Sequence, residues 1–161
     1  MARFAALLGL VIVLGGCAPL CGIGGKFSLS NAHVDAQYDC PYPSDHLPYA
    51  VHATIDASNT LGSTVTIKSL KEDDVLETTS GNWNGPAGVK DGGPVTDYQP
   101  KSVPSGGNAT VKFTIGFECT NNGGSTRAYG DFSFKFTFDT SAGTFTINAG
   151  NRHRLNFPPT T

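Results

Sequence analysis

From residue 108 to 119 the chain places Val111, Phe113, Ile115, Phe117 and Cys119 at every second position, with Lys112, Thr114 and Glu118 between them. Successive side chains of a strand point to opposite faces, so this period puts the apolar groups on one buried face. A helix would scatter them around its circumference. The pattern returns at Phe132, Phe134, Phe136 and Phe138, alternating with Ser133, Lys135 and Thr137. Two such half-buried strands require a further layer to cover them.

Shorter segments obey the same rule. Residues 49–57 alternate Tyr49, Val51, Ala53, Ile55 and Ala57 against His52, Thr54 and Asp56, and residues 64–69 set Val65 and Ile67 against Thr64, Thr66 and Lys68. Further extended segments are expected at 27–39, ended beyond Cys40 by Pro41, Pro43 and Pro48, and at 70–79, 95–99, 144–149 and 152–157. The opening of the 70–79 segment, Lys71-Glu72-Asp73-Asp74, reads as a solvated turn. Val103-Pro104-Ser105-Gly106-Gly107 and Asn121-Asn122-Gly123-Gly124 are turns on either side of the strongest strand. Residues 80–93, rich in Gly, Asn and Pro around Trp83, form the longest irregular stretch.

Seven to eight short strands without a helical period predict an all-β, antiparallel sandwich or barrel, with the sandwich favoured. Only 15% of the residues are charged, and 20 Gly and 10 Pro supply turns. The layout from Phe27 to Phe157, with a Val-Pro-Ser-Gly-Gly turn feeding an alternating strand that ends at Cys119, resembles the immunoglobulin-like modules of bacterial surface proteins. That resemblance implies an immunoglobulin-like β-sandwich with Cys119 bridging the sheets to Cys40.

The first residues carry an address. Arg3 precedes an uncharged apolar run over residues 4–16, as in an export leader. A helix of that length reaches about 20 Å, short of the roughly 30 Å hydrocarbon core. The run ends in Leu14-Gly15-Gly16-Cys17, which resembles the lipobox of bacterial lipoprotein precursors. The resemblance implies cleavage before Cys17 and a diacylglycerol on its thiol, so that acyl chains anchor the protein to a membrane. Ala18 after the cysteine is similar to lipoproteins sent to the outer membrane of diderm bacteria. The expected organisation is a signal peptide over 1–16, a lipidated flexible tether over 17–26 and the β-domain over 27–161.

With Cys17 spent on lipid, three cysteines remain. Cys40 and Cys119, both in strand-like contexts, are the natural disulfide in an exported protein. Cys21 with Cys40 is the competing pair.

No catalytic constellation emerges. His33, His46, His52 and His153 are the metal candidates, but Cys119 is followed by Thr, Asn, Asn and Gly and the only Met is the initiator, so a blue-copper run is missing. They read as solvent-facing strand and loop histidines. Glu72-Asp73-Asp74 lacks the spaced oxygen ligands of an EF-hand calcium loop. There is no Gly-x-Ser-x-Gly elbow, and paired carboxylates for glycoside hydrolysis need a cleft that spacing alone does not place. The net charge of −2 disfavours nucleic acid as a partner.

Trp83, amid Asn and Gly, is the candidate binding contact, suited to stacking on a sugar ring or anchoring a protein. Its alternative is a fold-back that caps the core. Tyr98, Tyr129 and the Arg152-His153-Arg154 cluster are weaker candidates. The expectation is a non-enzymatic, cofactor-free, lipid-anchored envelope protein that binds a protein or glycan. A periplasmic inhibitor or chaperone-like module, or a metal carrier, are the alternatives.

Overall fold

The computed structural model describes residues 24–43, 46–120 and 126–159. The leader over 1–16, Cys17, Cys21, most of the 17–26 tether and the 121–124 turn lie outside the described residues.

The domain is an immunoglobulin-like β-sandwich. Its described strands are β1 (Phe27–Val34), β2 (Gln37–Asp39), β3 (Leu47–Asn59), β4 (Val65–Ser80), β5 (Lys90–Val95), β6 (Tyr98–Gln99), β7 (Ser102–Val103), β8 (Gly107–Cys119), β9 (Ala128–Thr140), β10 (Gly143–Asn148) and β11 (His153–Phe157). Setting aside the two- and three-residue segments β2, β6 and β7, the strands match the expected number.

One sheet runs β1-β3-β8-β6. The other runs β2-β11-β9-β4-β5, with β10 also on β9 and β7 on β4. All pairings are antiparallel except β2 with β11. The expected extended segment at 27–39 is thus two strands on different sheets. The chain crosses between them at Asp35 and Ala36, where Asp35 N–H donates to the His52 carbonyl and Arg154 N–H to the Ala36 carbonyl.

The two strongly alternating segments form the walls of the core. β8 turns Val111, Phe113, Ile115 and Cys119 inward, and β9 turns Phe134, Phe136 and Phe138 inward to meet them. Phe113 and Phe136 pack edge-on at 5.2 Å. Burying one such side chain is worth about 1.5 to 3 kcal/mol, so these rows dominate cohesion between the sheets. Buried Asn59 closes one end: its amide nitrogen donates to the carbonyls of Ser63, Val103 and Pro104, and its oxygen accepts from Leu61 N–H. The Cys40–Cys119 disulfide closes the other end and joins the sheets across 79 residues of chain.

Two further expectations are corrected. Residues 71–74 are not a solvated turn but the interior of β4, one continuous strand where two were expected. Lys71 and Asp73 point outward while Glu72 and Asp74 continue the inward row of Leu70 and Leu76. Pairing with β9 on one side and β5 on the other holds the run extended, and this pairing outweighs the preference of clustered acids for water. His153 is the second correction, for it is buried and not solvent-facing. Its Nδ1–H donates to the Asp35 carbonyl at 2.8 Å, leaving Nε2 to accept from the Tyr49 hydroxyl at 3.0 Å. Both ring nitrogens are satisfied in the neutral form, and burial lowers its pKa further.

Candidate functional site

A cleft of about 790 Å³ opens between the two sheets, floored in part by Glu72, Asp74 and Trp83. Its position follows from two strands that stop short. β6 covers β8 only at Phe113 and Lys112. From Thr114 to Cys119, β8 pairs with β3 on one side, and among the described residues no strand pairs with the other. Across the gap, β5 pairs with β4 alone and ends its sheet.

The lining shows that these are open edges and not merely faces. Consecutive residues 114–118 of β8 and 91–97 of the opposite wall all border the cleft. Neighbouring side chains on a strand point to opposite faces, so what consecutive residues share is the strand edge. Gly116 and Gly93 leave it bare, since a β-carbon at either would meet no atom within 4 Å. Gly92 has a different reason to be glycine. Its φ of +141° and the Glu72 carbonyl, 2.4 Å from where a β-carbon would sit, exclude any side chain.

The acids of the inward row face this space. Glu72 and Asp74 are each 6% exposed, and Asp74 lies directly across from Asp91 in the β4–β5 register. Like charges opposite one another in a sheet repel. Burial, followed by the charges of Asp74, Asp91 and Asp73, pushes the Glu72 carboxyl up to about 7. Burial, followed by Asp91 and Asp73, pushes Asp74 up to about 6. Among the described residues no ion pair reaches either group. Glu72 Oε2 is buried without a hydrogen-bond partner, a state that costs about 1 to 3 kcal/mol or more for a charged group.

Trp83 borders the same cleft while also packing on the core. Its ring meets Phe157 edge-on at 5.4 Å and Phe132 at 6.1 Å, capping the small cluster around Cys40, Cys119, Leu155 and Phe157. The fold-back alternative and a cleft-lining position thus coexist in one side chain. The irregular stretch that carries it is shorter than expected, because β5 begins at Lys90.

Of the other candidates, His46 reaches the rim of this arrangement through Glu118. Tyr98 is buried, with Lys101 over its ring at 3.2 Å. Tyr129 lies under the Arg154 guanidinium at 4.0 Å, and Arg154 forms two hydrogen bonds with Asp131. His33 bonds Asn151, His46 pairs with Glu118 and His52 with Asp35. Among the described residues no group of three or more His, Cys, Asp or Glu is placed to hold a metal ion. The acidic pair was visible in sequence, where its i, i+2 spacing inside a segment of strand period was the available signal.

No protein-family model matches the chain, and neither does any curated protein. Among solved structures it is similar to the putative ApaA protein from Bordetella pertussis, at 14% identity and a TM-score of 0.40 over 85% of this chain and 98% of that one. An ASH/PapD-like domain of human CEP192 is 14% identical with a TM-score of 0.33, covering 98% of both chains. AggA, the major subunit of aggregative adherence fimbriae type I from Escherichia coli, is 7% identical with a TM-score of 0.27, over 86% of this chain and 98% of that one. Likeness of this degree is distant.

Proposed function

We propose that this protein is a lipid-anchored envelope protein, held by an acylated Cys17 on the extracytoplasmic side of a membrane, whose sandwich is a non-enzymatic binding module. The observation that carries the binding clause is the open-edged cleft with the unpartnered Glu72 oxygen at its floor. The lipobox motif supports the anchor.

The two clauses agree in geometry. Phe27, where the tether enters the domain, pairs with Asn59, which pairs with Gly107. The cleft borders the opposite end of β8, toward Cys119 and its partner Leu47. At about 3.3 Å per residue, a strand such as β3 sets these ends roughly 40 Å apart. An anchor at one end therefore presents the cleft away from the lipid, toward other envelope components.

Intact-mass spectrometry of the protein from its native membrane fraction tests the anchor. An acylated chain beginning at Cys17, with uncut precursor accumulating when lipoprotein processing is blocked, is the expected result; an unmodified soluble chain overturns it. Turnover of an envelope glycan by the wild-type chain but not by Glu72→Gln would overturn the non-enzymatic clause, because Glu72 and Asp74 have the raised pKa values of general acids.

A further inference from the structure

The cleft specifies its occupant more closely than a pocket of the same size would. We propose that it receives an extended, basic segment of another protein, which adds a strand to the open edge of β8 at residues 114–119 and places a lysine or arginine against Glu72 and Asp74. This deepens the binding reading above and rests on it.

Three independent features lead there. The first is the edge. β8 keeps an unbroken register with β3 from Asn59↔Gly107 to Leu47↔Cys119, so every second residue of its uncovered portion turns N–H and C=O outward in regular spacing. An added strand would satisfy these groups as any sheet neighbour does. The facing edge of β5 is unsuited to the role, because Pro94 has no N–H and Gly92 departs from strand geometry.

The second is the unpartnered carboxylate. Glu72 is buried, borders the cleft, and has an oxygen that no group among the described residues satisfies. A cation with several N–H donors supplies what is missing.

The third is the sign of the surroundings. Asp91, Asp97 and Glu118, the last paired with His46, border the same opening, so a basic segment is drawn in. A second copy would bring the same acids to its own edge and be repelled.

The geometry also sets a pattern. Inward side chains of an added strand recur every second residue. If one is the cation above Glu72 and Asp74, those two positions before and after face apolar walls that include Phe117 and Trp83. The recognised segment therefore reads apolar-x-basic-x-apolar.

The test uses the full lipidated chain in detergent micelles and a randomised heptapeptide library displayed on phage. Selection is expected to enrich Lys or Arg at one position with apolar residues two places to either side. A synthetic peptide of that pattern should bind about tenfold or more tighter than its Glu counterpart, shift the amide resonance of Gly116, and lose binding when its backbone is N-methylated on the edge-facing residues. Glu72→Gln with Asp74→Asn should abolish the basic preference while leaving the fold intact by circular dichroism. Selection without a basic position, or equal binding of the Lys and Glu peptides, overturns the proposal. Equal binding of the N-methylated peptide and of N-acetyl-lysine methylamide also overturns it, in favour of a small-cation pocket. A chain that is acylated at Cys17 yet selects no peptide refutes this inference and leaves the anchor standing.

Discussion

Gly130 on β9 lies directly beneath the indole of Trp83, so close that a β-carbon there would come within 2.7 Å of Cη2 and Cζ2. The tryptophan's position at the cleft therefore depends on a missing side chain on the neighbouring strand. Leu76 Cδ1, 2.9 Å from the same point, closes the alternative direction.

Gly130→Ala should push the ring off its seat. The expected outcome is a red-shifted Trp83 emission, as the indole moves toward water, with a stability loss of about 1 to 3 kcal/mol. Unchanged emission would mean that the ring does not pack against β9.

The buried acids make stability fall as pH rises. A carboxyl whose folded pKa is raised holds its proton longer in the native than in the unfolded chain, so its contribution is full below the unfolded value near 4 and lost as pH passes the folded value. For Asp74 and Glu72 those folded values are about 6 and about 7. Glu72→Gln should therefore raise the Tm at pH 8, by several degrees (roughly 4 °C or more), and change it little at pH 4. A pH-independent Tm difference would contradict the burial of this carboxyl. The same ionisation should make a cationic peptide bind more tightly above pH 7 than at pH 5.

Asp131 and Arg154 join β9 to β11 with bonds of 2.7 and 2.9 Å, and Thr78 Oγ1 donates to the same carboxylate at 2.9 Å. The Arg154 bond, foremost, holds the Asp131 carboxyl below its usual range. Its contribution is present above the unfolded pKa and lost in acid. Asp131→Ala leaves three donor groups, two of Arg154 and one of Thr78, without their acceptor and should cost about 1.5 to 3 kcal/mol at pH 7 by urea denaturation, with the difference shrinking below pH 3.

The Cys40–Cys119 bridge encloses 79 residues. In the chain-entropy model a loop of this length is worth about 4 to 5 kcal/mol, so the double Ser variant should lose most of that in denaturant midpoint. Digestion without reductant should recover one linked peptide pair, Cys40 with Cys119; a Cys21–Cys40 link would contradict the structure.

Much of the architecture is legible in the sequence. Strands β3, β8 and β9 announce themselves because each turns one face largely into the core, which forces alternation. The 103–107 turn was equally plain, and Gly107 N–H does bond the Pro104 carbonyl, with Gly106 at φ +67°. β4 misled because its inward positions 72 and 74 are acids. A rule that assigns charge to solvent breaks a strand there, whereas the strand continues because both its edges are paired. His153 misled in the same way, its burial depending on a carbonyl at residue 35 and a hydroxyl at residue 49. The exchange of sheets between β1 and β2 left no periodic trace, since both halves are extended.

The sequence by itself determined the strongly alternating strands β3, β8 and β9 and the face each turns inward, and favoured Cys40 with Cys119 over Cys21 with Cys40, because alternation and residue chemistry are local. Only the tertiary structure decided that β6 stops after two residues and leaves the edge of β8 open, and that Glu72 and Asp74 look into that gap. Edge exposure and the pairing of a buried charge depend on which strand lies alongside, and that neighbour is chosen by contacts far away in the chain.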